Sequence, residues 1–407
     1  MSPSRRRFMA ASAASWALPG VMLQGCANAP ALPPVPAELV DVAEVPGFRG
    51  IRAFGDGSGR KERDLWGIGG PSGFTGHDAM AGKGPLRVLA ISGGGSNGAF
   101  GAGVLAGWSE TGQRPEFDIV TGVSVGALAA PYAFLGPDFD ARMSRLFTGL
   151  SSENLVKPRP RLLALFSDAL ASSQPLRELI AQHFDADMMS AVAREHRRGR
   201  RLFVGTTHVY ASRQVTWDLG AIAFTGSPEA LALIHQILLA SASVPILLPP
   251  VYLEVEASGR RFHEMHMDGS LTRQLFVWSP AFDWAMVMQA HRHRGRPEFY
   301  AIRNGRAKSE YMVMPPNVAA LGEHAMYLMS QSQGVADLYI VYAQAQRANA
   351  QFRAAWIGDD FGAAWDQWYD PRYVQSLFAH GRARAASGEV WRAVPPGFEA
   401  GAPGATP

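Results

Sequence analysis

The stretch that decides the fold runs from Pro85 to Leu135. It begins with PLRVLAIS (85–92) and continues through GGGSNGAFGAG (93–103) into VLAGWSE (104–110). It then reads FDIVT (117–121) followed by GVSVGALAAPYAFL (122–135). A short apolar run, a glycine turn and a helical pattern predict a strand–loop–helix unit. Two such units in succession predict an α/β fold, with both turns at the carboxyl edge of neighbouring parallel strands, where such sheets place their sites.

The second turn, from Gly122 to Gly126, has the G-x-S-x-G pattern of a nucleophile elbow. Such a turn holds its serine in a strained conformation and exposes the Oγ above the sheet. Side chains at Gly122 and Gly126 would crowd the adjacent strand and helix. The following helix presents its positive end to a developing anion. Ser124 is therefore the candidate nucleophile.

The first turn carries three consecutive glycines, Gly93, Gly94 and Gly95. Bare backbone of this kind lets N–H groups converge on one oxygen, as an oxyanion hole requires. The same loop also satisfies the dinucleotide pattern G-x-G-x-x-G through Gly98, and 94–98 is a second G-x-S-x-G. Spacing alone leaves three interpretations open: a serine hydrolase, a nucleotide-binding protein, or a tight turn without chemistry.

A carboxylate that can reach back to a nucleophile comes later in the chain. Asp268 ends the strand-like stretch RFHEMHMD (261–268) and precedes Gly269. The simpler interpretation is an Asp-Gly β-turn. His263 and His266 are three positions apart, so they do not form the zinc-binding helix motif with histidines four apart. We predict no metal site here.

The N-terminus has the pattern of a bacterial export signal. Arg5–Arg7 lie in a segment similar to a twin-arginine motif, and an apolar stretch leads to Cys26, the only cysteine. The sequence LQGC (23–26) resembles a lipoprotein cleavage box, so we expect a lipid-anchored protein facing the periplasm. Ala27 favours the outer membrane. Cleavage before Cys26 leaves 38 − 3 = 35 basic against 35 acidic residues, a balance that gives no electrostatic case for nucleic acid.

Composition and patterning together predict the organisation of the chain. About 47% of the residues are hydrophobic and 18% charged, as in a globular protein with a sizeable core. The Met and Tyr residues of the helical stretch 317–352 are expected in that core, with a membrane-facing surface as the alternative. The predicted parts are a signal peptide (1–25), the lipidated Cys26 with a Pro/Ala tether (26–46), an irregular extension (47–84), a catalytic domain (85–310), its helical C-terminal part (311–395) and a disordered tail (396–407).

The ordered set of motifs resembles the patatin-like phospholipases. The set is G-G-G-x-x-G (93–98), G-x-S-x-G (122–126), S-A-S-V-P (241–245) and D-G (268–269), and it covers roughly Leu86 to Gly269. The resemblance implies a three-layer α/β fold with a mainly parallel sheet flanked by helices. It implies hydrolysis of lipid acyl esters by Ser124 with Asp268 as base, oxyanion N–H groups from Gly93, Gly94 and Gly95, and no metal or organic cofactor.

Two positions depart from the family pattern. Asn97 stands where Arg or Lys usually precedes the closing glycine of the first loop, which affects headgroup preference. Ser270 stands where Gly or Ala usually follows the Asp-Gly pair. The Ser270 hydroxyl is expected to hydrogen-bond Asp268 and to lower its basicity. Neither departure removes Ser124 or Asp268.

Three alternatives remain at the level of sequence. An α/β-hydrolase triad would recruit one of the histidines that follow Asp268, namely His291, His293, His324 or His380. A dinucleotide-binding protein would need an acidic residue at the end of the second strand, where Thr121 to Ser124 stand instead. A catalytically inactive envelope lipoprotein of the same fold would draw on the departures at Asn97 and Ser270.

Overall fold

The computed structural model describes residues 32–56, 65, 84–160, 167–309, 311–363 and 369–398. The predicted signal peptide, Cys26 and most of the predicted C-terminal tail lie outside the described residues. In chain order, the strands are β1 (Arg52–Phe54), β2 (Arg87–Ile91), β3 (Ile119–Val123), β4 (Lys157–Pro158), β5 (Ala171–Ser172), β6 (Arg201–His208), β7 (Arg213–Asp218), β8 (Val251–Ala257), β9 (Arg260–Asp268), β10 (Glu298–Arg306) and β11 (Gln351–Ile357).

The α-helices alternate with these strands along much of the chain. They are α1 (Gly98–Glu110), α2 (Val125–Leu135), α3 (Asp140–Thr148), α4 (Ser152–Leu155), α5 (Gln174–His183), α6 (Ala186–Arg197), α7 (Leu219–Phe224), α8 (Pro228–Ser241), α9 (Trp284–Ala290), α10 (Val318–Arg347) and α11 (Pro371–Ala386). None of the helices in the described ranges has the length and apolar character needed to cross a bilayer.

Nine strands form the central sheet, in the order β1-β7-β6-β3-β2-β10-β11, with β9 paired to β6 and β8 paired to β9. Five consecutive strands of this order run parallel to one another, namely β6, β3, β2, β10 and β11. The antiparallel strands β7, β1, β9 and β8 extend the sheet beyond β6. The predicted α/β fold with a mainly parallel central sheet is confirmed, and the two motif turns follow the adjacent parallel strands β2 and β3.

The sheet is buried on both faces, which explains why its central strands read as unbroken apolar runs. Successive residues of a strand point to opposite faces. In β2, Leu89 and Ile91 belong to a core that includes α1 and α2, whereas Val88 and Ala90 belong to a core that includes α10. Helices therefore cover both faces, and the arrangement has three layers.

The chain on either side of the motifs differs from its predicted description. Within 311–395, predicted as helical, β11 pairs in parallel with β10 and extends the sheet. Arg353 interrupts the apolar pattern of β11, and its guanidinium donates to the Tyr300 hydroxyl. Within 47–84, predicted as irregular, β1 pairs with β7.

The described part of the predicted tether, residues 32–46, also differs, because it packs on the domain. Val35, Ala43 and Val45 are buried, and Glu44 forms a β-bridge with Glu256. The apolar residues between the prolines pack on the hydrophobic core of the domain, so this part of the segment is not a free spacer.

Candidate active site

Ser124 lies in a strained turn between β3 and α2. Its backbone has φ 55° and ψ −127°, and a non-glycine residue held in such a region costs about 1–3 kcal/mol. A Cβ at Gly122 would stand 2.5 Å from the Gly126 carbonyl oxygen, and a Cβ at Gly126 would collide with the Ile91 carbonyl. Backbone packing therefore requires glycine at both ends of the turn.

The S-A-S-V-P segment at the end of α8 holds this turn in place. The Ser124 N–H donates to Ser241 Oγ at 3.0 Å, and the Ser241 hydroxyl donates to the Gly205 carbonyl at 2.7 Å. The Asp268 N–H donates to the Ser243 carbonyl at 3.0 Å. This segment thus fixes the main chains of both Ser124 and Asp268, a role that the motif spacing did not reveal.

Ser124 and Asp268, which are 144 positions apart, are in direct contact. Asp268 ends β9, where it lies opposite Thr206 of β6, and β6 pairs with β3. The Ser124 Oγ donates to Asp268 Oδ2 at 2.7 Å, and Asp268 Oδ1 accepts the Ser270 N–H at 2.8 Å. The sheet order therefore brings together the hydroxyl and the carboxylate that the sequence singled out.

Burial dominates the electrostatics of this pair. Ser124 is 6% exposed and Asp268 is 2% exposed. Loss of solvent raises the pKa of Asp268 to about 6, while hydrogen bonds from Ser124 and from the backbone and hydroxyl of Ser270 lower it by less. The Ser270 hydroxyl acts in the direction predicted from sequence, but the net basicity of Asp268 is increased.

The glycine loop lies against Ser124. A Cβ at Gly93 would stand 3.1 Å from the Ser124 Cβ. The Gly93 N–H, however, donates to the Gln274 carbonyl at 3.0 Å. The prediction of Gly93 as an oxyanion donor is therefore wrong, because this N–H already has a backbone partner.

The next two glycines differ from Gly93. Gly94 has φ 149° and Gly95 has φ 56°, and a Cβ at Gly94 would collide with the Asn304 carbonyl. Within the described chain, no protein acceptor engages the N–H groups of Gly94 and Gly95. These two groups are consequently available to another acceptor.

Residues that sequence reasoning did not assign hold the loop. Asn304, at the end of β10, donates its side-chain amide to the Ser92 carbonyl at 2.8 Å, and its Oδ1 accepts the Gly101 N–H at 3.0 Å. Because its partners lie 203 and 212 positions away, no local pattern could have identified it.

The C-terminal segment also contacts the loop. The Tyr369 N–H donates to Ser96 Oγ at 2.9 Å, and the Tyr373 hydroxyl donates to Asn97 Oδ1 at 2.6 Å. Burial, with a smaller effect of the Asp268 charge, raises the pKa of the Tyr369 phenol. Asn97, which departs from the family pattern, therefore serves here as an acceptor for a tyrosine of α11.

The histidines considered for a triad lie elsewhere. His324 stacks on Tyr327 in α10, and His380 faces Asp360 with 3.8 Å between Nε2 and Oδ2. Among the described residues, the hydrogen-bond partners of the Asp268 carboxylate are Ser124 and Ser270. Over the same residues, no group of three or more His, Cys, Asp or Glu side chains could hold a metal ion.

A second buried carboxylate lies on the same strand. Glu264 accepts two hydrogen bonds from the Arg52 guanidinium, one of 2.9 Å from Nη2 to Oε1 and one from Nη1 to Oε2. His266 Nε2 is 3.1 Å from Glu264 Oε2, and His266 Nδ1 is 3.0 Å from Thr206 Oγ1. Although burial opposes it, the Arg52 charge holds the pKa of Glu264 well below its usual range. Glu264 is therefore a permanent anion inside the fold.

Comparison with known proteins gives one family model, and the solved structures that match include two remote likenesses. The family model described as patatin-like phospholipase matches residues 89–279. VipD from Legionella pneumophila is similar in structure, with 12% identity, a TM-score of 0.38, and coverage of 75% of this chain and 67% of VipD. The type III effector protein ExoU shows 14% identity and a TM-score of 0.22, with coverage of 75% of this chain and 53% of ExoU. No curated protein matches the chain.

The matched residues contain every motif on which the resemblance was based. The glycine loop, the turn at Ser124, the S-A-S-V-P segment and Asp268 with Gly269 all lie between positions 89 and 279. Residues 89–279, with all four of these motifs, therefore match the patatin-like phospholipase family.

Proposed function

We propose that this chain is a lipid acyl hydrolase in which Ser124 is the nucleophile and Asp268 the general base. The observation that carries the proposal is the 2.7 Å hydrogen bond from Ser124 Oγ to Asp268 Oδ2. Two features support it: the strained turn that presents the serine and the raised pKa of the carboxylate. The family of residues 89–279 supplies the lipid class of the substrate.

The groups around Ser124 define the steps. Asp268 accepts the hydroxyl proton as Oγ attacks the ester carbonyl, and the N–H groups of Gly94 and Gly95 bind the negative oxygen of the tetrahedral intermediate. Collapse of the intermediate expels the alcohol, which takes the proton back from Asp268, and leaves an acyl group on Ser124. Water, deprotonated by Asp268, then releases the fatty acid.

The raised pKa of Asp268 suits this role. A carboxylate with an ordinary pKa is a weak base toward a serine hydroxyl, whereas a pKa of about 6 lies nearer to neutral operating pH. Asp268 must be ionised to accept the proton. We expect kcat/KM to fall below about pH 6 and to reach a plateau above it.

The test compares two serines of the two G-x-S-x-G matches. Ser124→Ala should abolish hydrolysis of a chromogenic fatty-acyl ester, and a fluorophosphonate should label Ser124. Ser96→Ala is the matched control, because Ser96 Oγ accepts the Tyr369 N–H and has no proposed chemical role. Labelling of Ser96 in place of Ser124 would overturn the assignment.

The distinction from a triad uses the same assay. Replacement of His291, His293, His324 or His380, one at a time, should leave the rate within about a factor of three. One large loss would favour a Ser–Asp–His mechanism. Labelling of Ser124 without turnover of esters of any chain length would instead favour an inactive member of the family.

The proposal includes an anchor at Cys26. A signal over 1–25 followed by a sole cysteine supports export and attachment of diacylglycerol, with the protein facing the periplasm. Mass spectrometry of the N-terminal peptide tests it, and Cys26→Ser should move the protein from the membrane to the soluble fraction. An unmodified Cys26 on a membrane-bound protein would contradict the proposed anchor.

A further inference from the structure

A large apolar surface lies on the N-terminal half of α10 and the segment before it. Its members are exposed by 45 to 94%, and one of them, Met329, belongs to the Met and Tyr residues that were expected in the core. They are Tyr311, Val313, Val318, Leu321, Leu328 and Met329. We name this set the 311–329 surface. Single exposed apolar residues are ordinary, but six within nineteen positions of the chain are a concentration that points to a contact with another phase or molecule.

The helical members share one face. Val318, Leu321, Leu328 and Met329 follow spacings of three, seven and one, which place them within about a third of the helix circumference. Gln331 and Leu338 are buried, and both come after the apolar members along the helix. The apolar residues therefore lie on the exposed first half of a helix whose second half packs into the core through Leu338, Val341 and Ala345.

The helix that carries this surface also reaches the candidate active site. Directly after Met329, Ser330 Oγ accepts a 2.7 Å hydrogen bond from Gln274 Nε2. Gln274 Oε1 stands 3.0 Å from the Cβ position of Gly93, which in turn is 3.1 Å from the Ser124 Cβ. Ser330 lies on the side of α10 away from its apolar face, so the helix that carries the 311–329 surface is linked through Ser330 and Gln274 to the region of the candidate nucleophile.

The surface has almost no charge. Between positions 311 and 330, Glu323 is the only acidic residue, and there is no Lys or Arg. An anionic nucleic acid or an acidic peptide finds no cation here. The hydrocarbon–headgroup boundary of a lipid layer matches such a surface, because its binding scales with the apolar area buried.

We propose that the 311–329 surface docks on lipid bilayers and places the Ser124 site against the membrane that holds its substrate. The choice of a lipid as the occupant rests on the proposed function. Binding comes from apolar contact, so it requires no anionic lipid and persists at high salt. The alternative occupant is a second copy of the chain.

The experiment measures partition into phosphatidylcholine vesicles. Every sample is the full-length chain carrying Ser124→Ala and Cys26→Ser, so that neither hydrolysis nor a lipid on Cys26 contributes. Val313→Asp combined with Val318→Asp should weaken binding about tenfold or more. Val318→Asp places an acidic residue in the first turn of α10, where it favours the helix, so the fold is retained.

The matched control is Val42→Asp, the same change at another exposed valine. It should bind vesicles as the parent does. Equal binding by the parent and the Val313/Val318 variant, or no binding by the parent, would overturn the proposal. A dimer in light scattering that the Val313/Val318 variant converts to monomer, without vesicle binding, would assign the surface to a second copy.

A soluble short-chain ester separates this proposal from the proposed function. With Ser124 restored, the Val313/Val318 variant should hydrolyse the soluble ester at the parental rate and phospholipid in vesicles about tenfold more slowly. If the parent hydrolyses the soluble ester but does not bind vesicles, the docking proposal is refuted and the proposed hydrolase stands. Vesicle binding without any ester hydrolysis would refute the hydrolase alone.

Discussion

Asp268 and Glu264 are two carboxylates on one strand with opposite electrostatics. They are four positions apart on β9, so both side chains lie on the same face, and both are buried. Glu264 is held by the Arg52 guanidinium, which lowers its pKa. Asp268 accepts hydrogen bonds from Ser124 and Ser270 only among the described residues, and burial raises its pKa to about 6. The presence of a cation therefore separates a structural anion from a candidate base.

The largest expected effect is on the rate. Asp268→Asn keeps the shape of the side chain but removes the proton acceptor, so kcat on a chromogenic ester should fall about 10²–10⁴-fold. Circular dichroism should show an intact fold. A variant that retained more than about a tenth of the parental rate would show that Asp268 is not the base.

The next effect is on stability and concerns the other carboxylate. Glu264→Gln leaves Arg52 buried without a counter-charge, which should lower the free energy of unfolding by about 3–5 kcal/mol. Urea unfolding at neutral pH measures this loss. Glu254→Gln, which removes a partly exposed partner of Arg261, is the control and should cost less than about 1 kcal/mol. A similar small loss for Glu264→Gln would mean that the pair does not act as a buried ion pair.

A third prediction concerns stability and pH. The folded-state pKa of Asp268 is raised from 3.8 to about 6, so the native state binds more protons than the unfolded state between these values. The contribution of Asp268 to the free energy of unfolding is therefore complete below about pH 4 and is lost as pH rises through about 6.

The Asp268→Asn variant measures this loss. Relative to the parent, the free energy of unfolding of this variant should be higher by roughly 3 kcal/mol at pH 7 and nearly unchanged at pH 4. Urea unfolding at the two pH values gives the difference. Glu264 has the opposite sign: its contribution is present above its usual pKa of 4.5 and is lost as pH falls below it. Equal stability of Asp268→Asn and the parent at pH 7 would contradict a buried, ionised Asp268.

The smallest effect belongs to Ser270. Ser270→Ala removes one hydrogen bond that lowers the pKa of Asp268, so the acid limb of kcat/KM should move upward by less than about one pH unit. Ser270→Thr retains a hydroxyl and should leave the limb in place. A downward shift for Ser270→Ala would mean that the hydroxyl does not donate to Asp268.

Local patterns predicted the parts of the site that are local. The turn at Ser124 and the loop at Gly94 are tied to glycines that backbone packing requires, and both are readable from a few residues. The parallel strands were readable because burial on two faces makes them apolar throughout. The contact between Ser124 and Asp268 could be predicted only from the order of the four motifs, because a contact between residues 144 positions apart leaves no local signal.

Long-range partners explain what sequence reasoning missed. The Gly93 N–H is occupied by the Gln274 carbonyl, a contact that no motif encodes. The Met and Tyr residues of α10 were expected in the core, because periodicity shows a helix face but not what covers it. The 311–329 surface shows that an apolar face can also remain uncovered.

The hydrogen bonds from Asn304 and Tyr373 to the glycine loop have a consequence for synthesis. The matched segment ends at residue 279, yet the groups that clamp its loop to β10 and α11 come 25 and 94 positions later. When residue 279 has left the ribosome, Ser124 and Asp268 are already present, but Asn304 and Tyr373 are not yet available to hold the loop. The loop can therefore reach its final hydrogen-bonded arrangement only after residue 373 has left the ribosome.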